Sequence, residues 1–384
     1  MYTRKYFLDW LRVGAFTLLV LFHVGMLYVT WYYNLKSPRL VPGLEWWMLV
    51  LSPWRMALLF VISGVACRFL IGKLGPGQFA LDRLRRLLPV ILFGMIVVIP
   101  PQTYVELVAK NVTHQSYLHF WWYSYLAADQ TLVRPLHKTM PTWDHLWFLV
   151  YLLVYSLLFA LVVALMRRRR SPVKNPVQDP VQGGFRVSTA WLLIVPALWL
   201  AAANVLIEFA SPRTDDFVHD WGSHIRWIGM FAVGVICARQ IAFWDWLRNH
   251  RRWLAAAAGV LLVAQSVSNG PVWFAVSGLY AWAAICAICG YAGQYLDRPS
   301  ALLSHLNVAV LPVYVLHQPI LLIAAYWIFP LHLPVAAELL LLAGITLLGS
   351  MALYETLIRP FAIMRFMFGV KTDPPVGIRR ALIE

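Results

Sequence analysis

Charge is scarce in this chain. Asp, Glu, Lys and Arg make up 13% of its 384 residues, against about 25% in an ordinary soluble domain. That is too little polar surface to cover a soluble protein of this length, which excludes a cytosolic enzyme and a disordered chain. Acidic residues are the scarcer sign, 17 against 32 Lys and Arg, for a net charge of +15. Four cysteines are too few for a secreted disulfide scaffold, and Cys67, Cys237, Cys286 and Cys289 all fall in apolar stretches. Cys286 and Cys289 form a C-x-x-C, but no nearby His or second pair completes a metal site, so the four read as small core residues. The first apolar run lacks a small-residue cleavage site and carries Arg12 and His23, so it reads as a retained helix and not a signal peptide.

What is abundant is apolar. Hydrophobic residues reach 61%, mean hydropathy is +0.66, and there are 19 Trp, 17 Tyr and 20 Phe. A spanning helix needs ~20 apolar residues. Apolar runs fall at about 9–33, 46–71, 87–107, 146–166, 188–210, 224–243, 253–269, 272–295, 304–329 and 335–358. The expected fold is therefore all-α: a polytopic membrane protein of about ten transmembrane helices forming one domain over 1–384. Two connections stand out. Segment 167–187 opens with four arginines and continues as a Pro-Val tetrapeptide repeat, which reads as an extended linker near an anionic membrane surface. Segment 108–145 holds His114, His119, His137, His145 and several tryptophans. It is too long for a simple turn and is expected to fold back over the outer mouth.

The positions of the cations set an orientation, because Lys and Arg are retained on the cytoplasmic side. With the amino terminus inside, 23 of the 32 fall in inner segments, 8 (Arg55 among them) fall in outer segments or outer helix ends, and Arg12 lies within the first helix. Both termini are expected in the cytoplasm, with the chain in the cell inner (plasma) membrane. The basic residues are spread over the inner loops and tails and form no single stripe, so nucleic acid is not an expected partner.

Ionisable residues at membrane depth are the informative ones, because they are costly and face cavities or one another. Arg12 and His23 share a face of the first helix, three turns and ~16 Å apart at 1.5 Å per residue. His23 lies fourteen residues into that run and His317 thirteen into the ninth. Both runs lead outward, so the two histidines fall at similar depth and are candidates to line one cavity. His317 reads either as a functional group or as a hydrogen bond between helices. Near the inner surface gather Arg12, Ser63-Gly64, Arg83, Arg86, Glu355 and Arg359, and clustered guanidinium groups suit the phosphates of a nucleotide. Asp9 and Arg12 also stand at the spacing of a local ion pair. His145 and Glu208 form an outer set, with His145 readable also as an interfacial cap.

Five segments carry a resemblance. Leu8-Asp9-Trp10-Leu11-Arg12 followed by His23, Phe60-Val61-Ile62-Ser63-Gly64, Arg83-x-x-Arg86-Leu87-Leu88-Pro89, His145-Leu146-Trp147-Phe148-Leu149 and Tyr314-Val315-Leu316-His317-Gln318-Pro319 resemble, in order, motifs of the acyltransferase-3 membrane proteins. The resemblance implies transfer of an acyl group, acetyl or succinyl, from cytoplasmic acyl-coenzyme A to a carbohydrate hydroxyl outside or in the membrane. It implies catalysis by His23 and donor contacts from Arg12, Arg83 and Arg86. His317 is a second catalytic candidate, Ser63 a further candidate donor contact, and His145, Glu208 and Tyr314 are candidate acceptor contacts. Arg85 stands between the two expected arginines as an alternative donor contact. The sequence is similar to the membrane-only branch, which includes the osmoregulated periplasmic glucan succinyl transferases. The implied partners are acyl-CoA, a polysaccharide, glucan or other glycan acceptor, and the lipid bilayer. Association of copies of the chain is left open.

The chemistry is coherent by itself. A thioester is already activated, so no metal and no permanently bound cofactor is expected. The reaction needs a base for the acceptor hydroxyl, a donor for the oxyanion and positive charge for the coenzyme A phosphates. A neutral histidine suits the first need, either as general base or as acyl carrier. The rival reading is a transporter or flippase for an anionic solute. Ten helices and buried histidines would serve that also, but no inverted repeat relates residues 1–190 to 191–384.

Overall fold

The computed structural model describes residues 5–133, 139–168, 187–210 and 217–370. Most of the Pro-Val linker, His137, Asp215 and Asp216 lie outside the described residues. Every regular element among the described residues is helical. The long helices are α1 (Tyr6–Met26), α2 (Leu44–Leu74), α3 (Pro76–Ala109), α4 (Asp144–Arg168), α5 (Thr189–Ala210), α6 (Trp221–Cys237), α7 (Ile241–Val267), α8 (Gly270–Tyr295), α9 (Ala301–Ile328) and α10 (Val335–Ile358), followed by the short α11 (Ala362–Met367).

Among the described residues, eight of these helices are long and apolar enough to cross a membrane. The remaining two, α6 and α7, pass that test only together and meet at a bend of 103°. By length and composition the described residues thus give eight spans, or nine if the bent pair is one, beside the about ten expected. Helix α6 has 17 residues, the lower limit for a bilayer crossing. The first turns of α7 carry Asp245, Arg248, Arg251 and Arg252, which do not belong in hydrocarbon.

The chain folds into two compact units, Met1–Phe22 with Val41–Asp82 and Tyr151–Asn307, and His23–Leu40 with Arg83–Val150 and Val308–Glu384. In the first unit α2 and α6 touch backbone to backbone. A methyl group at Gly64 would collide with the Phe231 carbonyl, and one at Gly234 with the Val61 carbonyl. Small residues permit such approach where two membrane helices pack. Beside this crossing Phe60 is fully buried and stacks on Trp227 at 5.4 Å. Cys67, Cys237, Cys286 and Cys289 are buried free thiols in the same unit.

Two expected boundaries move. Helix α1 ends at Met26, seven residues before its apolar run does, because Lys36 donates to the carbonyls of Met26 and Val29 at 2.7 Å each. A cation on the last carbonyls is a physical stop signal. The following loop is packed inward, with Leu27, Tyr28 and Val29 fully buried. Its far end is tied by Arg39, which pairs with buried Glu338, and Tyr28 donates to the same carboxylate at 3.1 Å. Helix α3 begins at Pro76, eleven residues before its apolar run, so Arg83, Arg85 and Arg86 stand on a helix and not in a loop. Proline at a first helical position has no intrahelical donor to lose.

Farther along α3, Pro100 and Pro101 remove two backbone donors, next to a π-turn over Gly94–Val98. The carbonyls of Met95 and Ile96 instead accept from Tyr125 Oη at 2.9 Å and Trp121 Nε1 at 2.8 Å. That exchange fastens the outer segment to the helix. The segment contains short helical pieces, and its Phe120, Tyr125, Val133 and Met140 pack on Leu107.

Candidate active site

The second unit brings three histidines together. His23 lies in the last turn of α1, His317 in the middle of α9, and His145 in the opening 3-10 turn of α4. His23 Nδ1 and His317 Nε2 are 2.7 Å apart, with the rings within 8° of parallel. On its other side His317 Nδ1 meets the Tyr314 carbonyl. A carbonyl only accepts, so His317 Nδ1 carries the proton and its Nε2 accepts. His23 Nδ1 must then donate, and the lone pair of a neutral His23 falls on Nε2. Buried His317 thus fixes both the orientation and the tautomer of partly exposed His23.

The local sequence explains His145. Pro319 has no N–H, so the Val315 carbonyl four residues earlier lacks its helical donor. His145 Nε2 supplies it at 2.9 Å, and Tyr314 Oη donates back to the His145 carbonyl. The His145 ring then stands edge-on to His317, 5.3 Å between centroids. The sequence grouped His145 with Glu208 at the outer side. The structure joins His145 and Tyr314 to His317 in the second unit, while Glu208 is exposed on α5 in the first.

Side chains outside the quoted motifs, joined by Gln318 from within one, complete the surroundings. The Tyr33 ring stacks on His23 at 5.7 Å. Its hydroxyl is buried with no hydrogen-bond partner. Burial pushes the Tyr33 phenol well above its ordinary range, and the negative charges of Asp144 and Glu106 add to this. Asp144 accepts from Gln102 Nε2 at 2.8 Å, Asn34 Nδ2 at 3.1 Å and Gln318 Nε2 at 3.3 Å. Glu106 accepts from Lys110 at 2.7 Å and from Asn34 at 3.0 Å. The carboxylates are held by neutral amides and one lysine.

The arginines divide between the units. In the first, Arg12 Nη2 donates to the Asn307 side chain and, at 3.1 Å, to its carbonyl, while Asn307 Nδ2 donates to Asp9 at 3.0 Å. Asparagine thus bridges Asp9 and Arg12. Ser63 is half-buried on α2, next to the Gly64 crossing. In the second unit Arg83 is buried and Arg86 half-buried, one turn apart, and Arg86 Nε donates to the Gly369 carbonyl at 3.1 Å. Arg85 is exposed, which separates it from its two neighbours. Glu355 and Arg359 pair at 2.6 Å near the end of α10.

Among the described residues every regular element is helical and eight helices are long and apolar enough to span, which marks a multi-pass membrane protein. The family model described as an acyltransferase domain, that of the acyltransferase-3 proteins, matches residues 5–355, and the chain belongs to that family. It is accordingly a membrane acyltransferase in general class. No curated protein sequence and no solved structure matches the chain.

Proposed function

We propose that this protein moves an acyl group, acetyl or succinyl, from cytoplasmic acyl-coenzyme A to a carbohydrate hydroxyl, a glucan among the candidates, across the cell inner membrane. The observation that carries this reading is the proton chain from His23 through His317 to the Tyr314 carbonyl, which leaves His23 Nε2 as the basic nitrogen. In the proposed step His23 Nε2 takes the acceptor's hydroxyl proton as its oxygen attacks the thioester carbonyl. The Tyr33 hydroxyl donates to the oxyanion that forms. The tetrahedral intermediate collapses with cleavage of the C–S bond, and the thiolate leaves with the proton held by His23 as coenzyme A. No net proton is consumed. His317 is a positioning residue in this scheme, and His145 holds the segment that carries it.

Arg12, Ser63, Arg83 and Arg86 are the proposed donor contacts. Guanidinium forks match phosphate oxygens, and Arg12 precedes His23 by three turns of one helix. His145, Tyr314 and Glu208 are the proposed acceptor contacts. The test is coenzyme A release by purified protein, run with several acyl donors and a panel of glycans. Acceptor-dependent release with an acylated glycan as product is the expected result. Absence of release with every donor, alongside uptake of an anionic solute into vesicles, would favour the transporter reading.

A further inference from the structure

One buried cation has no place in that scheme. Arg55 lies on α2, eleven residues past Leu44 and so ~16 Å along a spanning helix. It is only 6% exposed. Its Nε and Nη1 are buried and have no hydrogen-bond partner, and among the described residues it forms no ion pair. Its neighbours Trp54, Met56, Ala57, Leu58 and Leu59 are all buried and apolar. One face of the guanidinium lies over the Phe22 ring, 3.5 Å from the centroid. Phe22 is the residue before His23 in the chain.

A ring beneath the guanidinium offsets part of its lost hydration. It accepts nothing from the N–H edges, which lie in the guanidinium plane. An arginine buried on a spanning helix with its Nε and Nη1 unsatisfied is a functional group awaiting a counter-charge. The complement of a planar edge of N–H donors is a carboxylate, bound by two parallel hydrogen bonds.

We propose that Arg55 binds a substrate carboxylate and so selects an anionic substrate. The inference rests on the transferase reading, which supplies the substrates whose carboxylate Arg55 would hold. The carboxylate has two chemical sources. It is the free end of a dicarboxylic acyl group on the donor, or it belongs to an acidic sugar of the acceptor. Arg55 takes no part in the bonds made and broken.

The experiment uses the full chain purified in detergent, as wild type, Arg55→Gln and Arg55→Lys. Equilibrium binding and coenzyme A release are measured with succinyl-CoA and butyryl-CoA, which match in length and differ in the terminal carboxylate. Neutral and uronic-acid oligosaccharides form the second pair. The wild type is expected to favour the carboxylate-bearing member of one pair at least tenfold, and the pair identifies the source. Arg55→Gln is expected to weaken that member by ~10²-fold, in line with loss of a charged bidentate contact, while the neutral member changes little. Arg55→Lys should retain part of the preference. The proposal is overturned if the wild type discriminates within neither pair, if Arg55→Gln keeps the preference, or if both members fall equally. Should Arg55→Gln fail to fold, phenylglyoxal modification of Arg55 in the wild type decides. Protection by a carboxylate-bearing ligand and not by its neutral partner supports the site, and equal protection sinks it. Binding is read without turnover, so absence of coenzyme A release would fail the transferase reading alone.

Discussion

His23 Nδ1 stands 2.7 Å from His317 Nε2, and the direction of that hydrogen bond is fixed by the Tyr314 carbonyl beyond it. Two imidazoles in series form a one-way relay: a backbone oxygen at one end can only accept, so a basic nitrogen is left at the other. The arrangement resembles the logic by which a buried group holds a catalytic histidine in one tautomer.

The first prediction concerns His23. His23→Ala is expected to lower acyl transfer by ~10²–10⁴, the usual cost of losing a positioned base. Donor binding is expected to persist, because the proposed phosphate contacts are arginines. Turnover near that of the wild type, in protein whose melting curve is unchanged, would reduce His23 to a packing residue.

His317 is predicted to behave differently. His317→Gln retains an oxygen that can accept from His23 Nδ1, whereas His317→Ala frees His23 to adopt the other tautomer. The alanine variant is expected to lose more rate than the glutamine variant, and its pH–rate profile should shift because His23 has lost its partner. A purely structural role predicts equal losses and an unmoved profile.

Helix geometry made part of this site legible beforehand. Counting residues from the inner ends of two outward-running helices puts His23 and His317 at similar depth, since every helical residue rises by the same amount. The pair does meet, so that inference needed only a constant of the backbone. Tyr33, Asn34 and Asp144 were not legible. Hydropathy carries the first run on to residue 33, and only the three-dimensional placement of Lys36 on the last carbonyls of α1 ends it at Met26. That early stop creates the loop that sets Tyr33 against His23. Arg55 was hidden for a related reason: in sequence it is one more outer cation, and its lack of partners appears only when its surroundings are folded. One signal was readable and informative. Pro319, two residues after His317, announces an unpaired carbonyl on α9, and that carbonyl is what His145 meets.

Tyr33 supplies a prediction with a defined pH window. Tyr33→Phe is expected to cost ~10²–10³ in rate, as removal of one oxyanion donor does, with donor affinity little changed. Burial raises the phenol well above its ordinary value of 10.0, so the hydroxyl remains a donor throughout the physiological range. The sign for stability follows. Above pH 10 the unfolded state loses this proton while the folded state keeps it, so the unfolded state binds fewer protons and stability falls as pH rises. Below pH 10 the contribution is fully present. Unfolding measured from pH 9 upward should fall less steeply for Tyr33→Phe than for the wild type; identical slopes would contradict the assignment.

Topology is predicted from the cation distribution. A single cysteine at position 175, in a chain whose four native cysteines are replaced, should react with an impermeant thiol reagent only from the cytoplasmic side of inner-membrane vesicles. Most lysines and arginines outside the spans fall in segments on that side when the amino terminus is inside. Reaction from the outer side alone would invert the proposed direction of transfer, since the donor arginines would then face away from cytoplasmic coenzyme A.

The last prediction separates three neighbouring arginines. Arg83 is buried, Arg86 is half-buried and Arg85 is exposed. One turn apart on α3, Arg83 and Arg86 share a face, whereas Arg85 points elsewhere. If the coenzyme A phosphates are bound on the shared face, Arg83→Gln and Arg86→Gln should each weaken donor affinity by ~10–10²-fold, the range for a charged hydrogen bond. Arg85→Gln should leave it within about a factor of three, as expected of an exposed charge. Arg86 has a second duty, its 3.1 Å bond to the Gly369 carbonyl, where the backbone has a positive φ of 64°. Arg86→Gln is therefore expected to lower thermal stability as well as affinity. Equal donor affinity in the Arg83→Gln and Arg85→Gln proteins, measured by direct binding of a labelled acyl-coenzyme A, would remove α3 from the donor site and leave its arginines to orientation in the membrane.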